Sequence, residues 1–143
     1  MPMSSAAHHD EALKKSVLLA DDESALLVLF EIELTRTGYQ VVTACNGIEA
    51  ARIGSDMNQP IDVLITDWKM PGMNGDVLAR QLMEVRPTLV VILISGYDEI
   101  EEIAKTFDPA RVRFLRKPFN PALLDQTIRI LLGLPFHSNS FVA

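Results

Sequence analysis

From residue 16 onward the chain alternates between two patterns of hydrophobic positions. Short unbroken apolar or β-branched runs, as expected of strands covered on both faces, are each followed by a stretch with helical spacing. Residues 17–20 form the first run, and residues 23–37 follow as a helix that Gly38 stops. Residues 39–44, rich in β-branched side chains, predict a second strand, and Asn46-Gly47 turns the chain into a short helix over 48–55. Residues 61–66 predict the third strand, 70–75 a loop of turn formers, and 76–85 a helix stopped by Arg86-Pro87. A continuous apolar run over 90–94 reads as a central strand, 98–107 as an acidic helix and 113–116 as a fifth strand. Asn120 caps a last helix with Pro121 in its first turn, and Gly133 ends it after about Leu132. Five strand–helix pairs in this order predict an α/β fold, a doubly wound five-stranded parallel sheet with helices on both faces. The expected organisation is a lead-in over 1–15, one domain over 16–132 and a tail over 133–143. On the first helix, Leu26, Leu29, Phe30 and Leu34 make one apolar stripe, and Val28 and Ile32 fall on the opposite side.

Composition narrows the classes of function. A chain of 143 residues, 48% hydrophobic, fits one domain with one packed core. A net charge of -6 without a long basic run argues against nucleic acid or anionic membrane as partners. No apolar run is long enough to span a bilayer, and the first residues lack the pattern of a signal peptide. The single cysteine, Cys45, cannot form an internal disulfide, so a reducing, cytoplasmic location is expected, with Cys45 as a structural thiol.

The polar residues that end the apolar runs carry the chemistry. They are Asp21-Asp22, Asp67, Ser95 and Lys117-Pro118, at successive strand ends of a sheet that presents those ends to one edge. Singly, each has an ordinary role: a helix cap, a loop carboxylate, a strand-ending hydroxyl, a solvated lysine. Together they can hold a divalent cation and a phosphoryl group. Asp67 can attack phosphorus as a carboxylate nucleophile and form an acyl phosphate. Mg²⁺, with Mn²⁺ as an alternative, would offset the repulsion between anions, held by Asp22, Asp67, Asp21 and a backbone carbonyl near Lys69. Lys117 offers a positive charge to the phosphoryl oxygens, Ser95 a hydroxyl, and Gly96 room beside them.

Four segments extend this pattern: residues 18–23 (Leu-Leu-Ala-Asp-Asp-Glu), 64–75 around Asp67-Trp68-Lys69-Met70-Pro71-Gly72, 93–96 ending in Ser95-Gly96, and 114–119 around Lys117-Pro118-Phe119. With them the chain resembles a response-regulator receiver domain, the flavodoxin-like (βα)5 phosphoacceptor of two-component signalling and chemotaxis. The resemblance implies that Asp67 takes a phosphoryl group from a histidine kinase or histidine phosphotransfer protein, and that Asp21, Asp22, Asp67 and the Lys69 carbonyl place Mg²⁺. It implies a cis peptide before Pro118, and a switch in which Ser95 and Phe114 alter the face made by the fourth helix, fifth strand and fifth helix. That face would meet a downstream protein target, while the first helix, with Val28 and Ile32, would meet the phosphodonor. Lys69 and Tyr97 are expected to tune the phosphoryl lifetime. The expected protein is a single-domain response regulator that switches protein contacts or relays phosphate, a signalling phosphoacceptor rather than an enzyme. A receiver segment of a hybrid histidine kinase is the alternative. A haloacid-dehalogenase-type phosphohydrolase fits less well, because here the acidic pair comes first and Asp67 is followed by Trp68-Lys69. A flavin or nucleotide module would want a glycine-rich loop after the first strand, which this chain lacks.

Overall fold

The apolar runs become strands because each can bury both faces between layers of helix. The computed structural model describes residues 15–96 and 100–136. Its elements are β1 (Ser16–Ala20), α1 (Ser24–Thr37), β2 (Gln40–Ala44), α2 (Gly47–Ser55), β3 (Val63–Asp67), α3 (Gly75–Val85), β4 (Val90–Ser95), α4 (Ile100–Ala104), β5 (Val112–Arg116) and α5 (Ala122–Leu132). All strand pairs are parallel, in the order β2-β1-β3-β4-β5. This is the doubly wound sheet that the alternation predicts. The chain moves outward from β1 to β2, then crosses back to β3, so the order reverses beside β1 and leaves a crevice at the carboxyl edge there.

Two cores lie on the two faces. Leu18, Leu64, Val91 and Leu93 pack with Ala50 of α2 and Leu78 and Leu82 of α3. Their strand neighbours Val17, Leu19, Ile65 and Ile92 pack on the other face with Phe30 and Leu34 of α1 and Leu124 and Ile128 of α5. The split follows from the period of two along each strand. Away from the carboxyl edge, the Tyr39 hydroxyl donates to Asp125 Oδ1 at 2.6 Å, and the Arg129 Nε–H donates to the same oxygen at 2.9 Å, tying the start of β2 to α5. Among the described residues no helix is long and apolar enough to cross a membrane.

Local signals set most boundaries. Gly38 has φ 122° and donates to Leu34 O and Thr35 O, which closes α1 in a conformation favouring glycine. Asn46 Oδ1 accepts from the Glu49 N–H at 2.7 Å, and Glu49 Oε1 accepts from the Cys45 N–H at 2.8 Å, a reciprocal cap on α2. Asn120 Oδ1 accepts from the Ala122 N–H at 3.0 Å, while Pro121 already has helical angles, so α5 opens as expected.

Three expectations need correction. The helix read over 98–107 ends at Ala104. There the N–H groups of Thr106 and Phe107 bond three residues back, to Ile103 O and Ala104 O, and the Thr106 hydroxyl also takes Ile103 O. That tighter turn ends the α-helical ladder. Leu29, placed in the apolar stripe of α1, is 46% exposed, because the helix packs on the sheet through Phe30 and Leu34, with Leu26 and Leu27 partly buried beside them. Cys45 is exposed rather than a packed thiol, because it lies past the end of β2. Residues 1–14 of the expected lead-in over 1–15, Tyr97, the first residues of the fourth helix and residues 137–143 of the expected tail lie outside the described residues.

Gly75 and Gly96 flank the same edge but tolerate a side chain differently. A Cβ on Gly75 would overlap the Asp67 carbonyl oxygen, whereas one on Gly96 meets nothing nearer than Lys117 Cβ at 4.0 Å. Gly75→Ala should therefore cost about 2 kcal/mol or more in urea unfolding, and Gly96→Ala should stay within about 0.5 kcal/mol of the parent. Equal midpoints for the two variants would contradict this packing.

Candidate functional site

Each polar strand end is delivered to one place by sheet register. Asp21 follows β1, and its N–H donates to Ala44 O at 3.1 Å, so it is held against the end of β2. It is 1% exposed. Its Oδ1 accepts from the Glu23 N–H at 2.8 Å and so turns the chain into α1. Its Oδ2 is buried and has no hydrogen-bond partner among the described residues. Asp22 is exposed and lines the pocket mouth with Asp67. Asp67 is the last residue of β3 and is 8% exposed, with the next N–H, of Trp68, bonded to Ile94 O of β4 at 2.8 Å. Ser95 ends β4 and is buried at the edge, and the Lys117 N–H donates to its carbonyl at 2.9 Å. The Lys117–Pro118 peptide bond is cis.

These anchors bring the Lys117 ammonium to 3.2 Å from Asp67 Oδ1. The same ammonium lies 3.1 Å from Glu23 Oε1, a contact that the sequence analysis did not single out. Its signal was only position, directly after the acidic pair. Asp22, Glu23, Asp67, Lys69, Gly96 and Lys117 line an open pocket of about 580 Å³. Oxygens of Asp21, Asp22 and Asp67 lie within 4.8 Å of one another.

The electrostatics follow from crowding and burial. Burial, and then the charge of Asp67, push the Asp21 carboxyl up to about 6, against the pull of the Glu23 N–H. Burial also raises the Asp67 carboxyl, opposed mainly by Lys117. Burial works against the Lys117 charge, but the hydrogen bond to Glu23 and the charges of Asp67 and Asp21 outweigh it and raise its pKa. A cluster of carboxylates with an orphaned oxygen on Asp21 is a poor resting arrangement by itself and a good fit to a hard divalent cation with oxygen ligands.

The surroundings separate two further groups. Lys69 is exposed, and its ammonium lies 4.5 Å from the centroid of the Trp68 ring. The Trp68 indole N–H donates to Asp76 Oδ1 at 3.2 Å. The β3–α3 loop is closed by the Gly75 N–H on Trp68 O at 2.7 Å and the Met70 N–H on Asn74 Oδ1 at 3.3 Å. Phe114 is half-buried on β5 and tilts against Phe107, 6.2 Å between ring centroids, with the Arg80 guanidinium 4.2 Å over the Phe107 ring.

A sequence model of the response regulator receiver domain matches residues 17–129. This chain belongs to that family. Among similar proteins, sensor kinase CckA of Brucella abortus (strain 2308) is 33% identical over 117 residues, 82% of this chain and 12% of the kinase. Chemotaxis protein CheY1 of Helicobacter pylori (strain ATCC 700392 / 26695) is 32% identical over 120 residues, 82% of this chain and 96% of CheY1. The chain thus spans about an eighth of the kinase and nearly all of the chemotaxis protein. A solved structure of response regulator protein TrrA from Thermotoga maritima, in complex with Mg²⁺-BeF, has TM-score 0.70 and 28% identity, covering 82% of this chain and 98% of that one. The receiver fold expected from the four segments is the fold of this chain.

The raised Asp21 carboxyl predicts a pH-dependent gain from removing its charge. Because its folded-state pKa is raised from 3.8 to about 6, ionising Asp21 costs stability. That cost is present above about pH 6 and is relieved as the pH falls toward 3.8. In divalent-free buffer at pH 8, Asp21→Asn should therefore stabilise the receiver domain by about 2 kcal/mol. The gain should shrink as the pH falls below about 6 and vanish near pH 4. Urea titrations at the two pH values check it, and no gain at pH 8 would contradict it.

Proposed function

We propose that this receiver domain accepts a phosphoryl group on Asp67 from a phosphohistidine of a histidine kinase or histidine phosphotransfer protein. The observation that carries the reading is the Asp67–Lys117 pair, at 3.2 Å, beside the buried Asp21 carboxylate. In the transfer, an Asp67 carboxylate oxygen forms the new O–P bond. The P–N bond breaks, and the imidazole leaves with its electron pair. Lys117 follows the charge onto the phosphoryl oxygens, Ser95 offers its hydroxyl, and the bare Cα of Gly96 leaves space on the pocket wall. Asp21, Asp22, Asp67 and the Lys69 carbonyl are the ligands proposed for Mg²⁺, or Mn²⁺, which when bound offsets the negative charge where the phosphoryl group arrives. The product is an aspartyl phosphate held for signalling, so this is a self-assisting phosphoacceptor and not a turnover enzyme.

The same reading gives each face a task. Next to the pocket, Leu26, Leu29 and Phe30 of α1 meet Pro118, Phe119 and Pro121 in an apolar groove, and Val28 and Ile32 of the same helix are exposed. This is the proposed seat of the phosphodonor. Ser95 and Phe114 form the switch toward α4, β5 and α5, the proposed face for a downstream protein target. A phosphoryl group acts there by binding one arrangement of Ser95 and Phe114 better than the other. Lys69, drawn over Trp68, and Tyr97 tune the access of water to the phosphoaspartate. The compartment is the cytoplasm. The chemistry serves equally in a free-standing regulator, switching contacts or relaying phosphate, and in a receiver segment of a hybrid histidine kinase.

Intact mass after incubation with a small-molecule phosphodonor tests the reading. One phosphoryl adduct should form with Mg²⁺, and none in Asp67→Asn. Lys117→Ala should keep Mg²⁺ binding, read by Trp68 fluorescence, yet slow adduct formation at least about tenfold. An adduct of equal yield in Asp67→Asn would overturn the assignment.

A further inference from the structure

The Lys117 ammonium is shared between two carboxylates in unlike surroundings. Toward Asp67 the contact is 3.2 Å and the carboxylate side chain is 10% exposed. Toward Glu23 the contact is 3.1 Å and the carboxylate side chain is 61% exposed. Glu23 does not cap α1 with its side chain, so its carboxylate has no evident task in building the helix. It lines the pocket that holds Asp67, and it also lines the apolar groove beside it, so the Glu23–Lys117 pair forms part of the wall between the two.

We infer that Glu23 is a positioning residue that restrains Lys117, holding part of its charge outside the phosphoacceptor pocket until a phosphoryl group draws it in. This rests on the phosphoacceptor reading and names a control on the same site. The physical case is a competition for three ammonium donors. Before transfer, two single carboxylate charges share them. A phosphoryl group brings more negative charge and three acceptor oxygens to the Asp67 side, in the drier surroundings where an ion pair is stronger. The wet pair with Glu23 is weak and is the one that gives way. Releasing it costs free energy on the way to the transition state, so Glu23 slows transfer. The effect runs through Lys117 and is lost without it.

The test is the rate of Asp67 phosphorylation by acetyl phosphate, in which the new O–P bond forms as acetate leaves with the electrons of the old one. Rates with Mg²⁺ at low ionic strength are read by intact mass for wild type, Glu23→Gln, Lys117→Ala and the double variant. Glu23→Gln should be faster by about threefold, the scale of an exposed ion pair, and the ratio should fall toward one in concentrated salt. In the Lys117→Ala background the same substitution should change nothing, which a structural or purely repulsive role would not produce. The thermal midpoint of Glu23→Gln should stay within about 2 °C of wild type, since no cap is lost. Equal rates for wild type and Glu23→Gln, or the same acceleration without Lys117, would overturn this inference and leave Asp67 as phosphoacceptor. No adduct on wild-type Asp67 would overturn both.

Discussion

The contact between Lys117 and Asp67 governs the carboxyl edge of this molecule. It joins the end of β5 to the end of β3 across β4, and it exists only because the three strands finish at compatible depths. The Trp68 N–H on Ile94 O and the Lys117 N–H on Ser95 O set those depths through the backbone. Without the ammonium, Asp21, Asp22 and Asp67 would crowd negative charge into a partly buried corner. With it, the charge is only partly offset, and Asp21 keeps an orphaned oxygen and a carboxyl raised by burial and then by the charge of Asp67. That imbalance leaves the site suited to a cation and a phosphoryl group rather than to a closed network of salt bridges.

Most of the architecture was legible because central parallel strands have a simple signature. The run Val90–Ser95 is buried on both faces, and no helix of that length competes for it. Asp67, Ser95 and Lys117 could be assembled on paper because parallel strands send their carboxyl ends to one edge. Features set by a few tertiary contacts were not legible. The exposure of Leu29 depends on the angle at which α1 meets the sheet, which helical periodicity does not encode. The early end of α4 depends on the Thr106 hydroxyl returning to Ile103 O. Glu23 escaped for a similar reason: its partner is 94 residues away, and only the assembled sheet brings the ends of β1 and β5 to one edge.

The two sides of the site have different physical character. Toward α1 the surface is apolar and adjoins the pocket at Glu23 and Lys117, with Phe30 stacked on Phe119 at 5.5 Å. Toward α4 a chain of contacts runs from Phe114 through Phe107 to Arg80 on α3. A rotation of Phe114 would have to repack that chain, which gives the proposed switch a defined set of groups to move. Coupling between the sides is then a matter of which arrangement the phosphoryl group binds better.

Reductive trapping with borohydride, followed by peptide mass mapping, tests the central claim most directly. An acyl phosphate on Asp67 is reduced to the alcohol, so the peptide carrying residue 67 should show the mass of homoserine in place of aspartate. The change should require both the phosphodonor and Mg²⁺. The same mass change confined to the peptide carrying Asp21 and Asp22, or no reducible carboxyl in phosphorylated protein, would contradict the account.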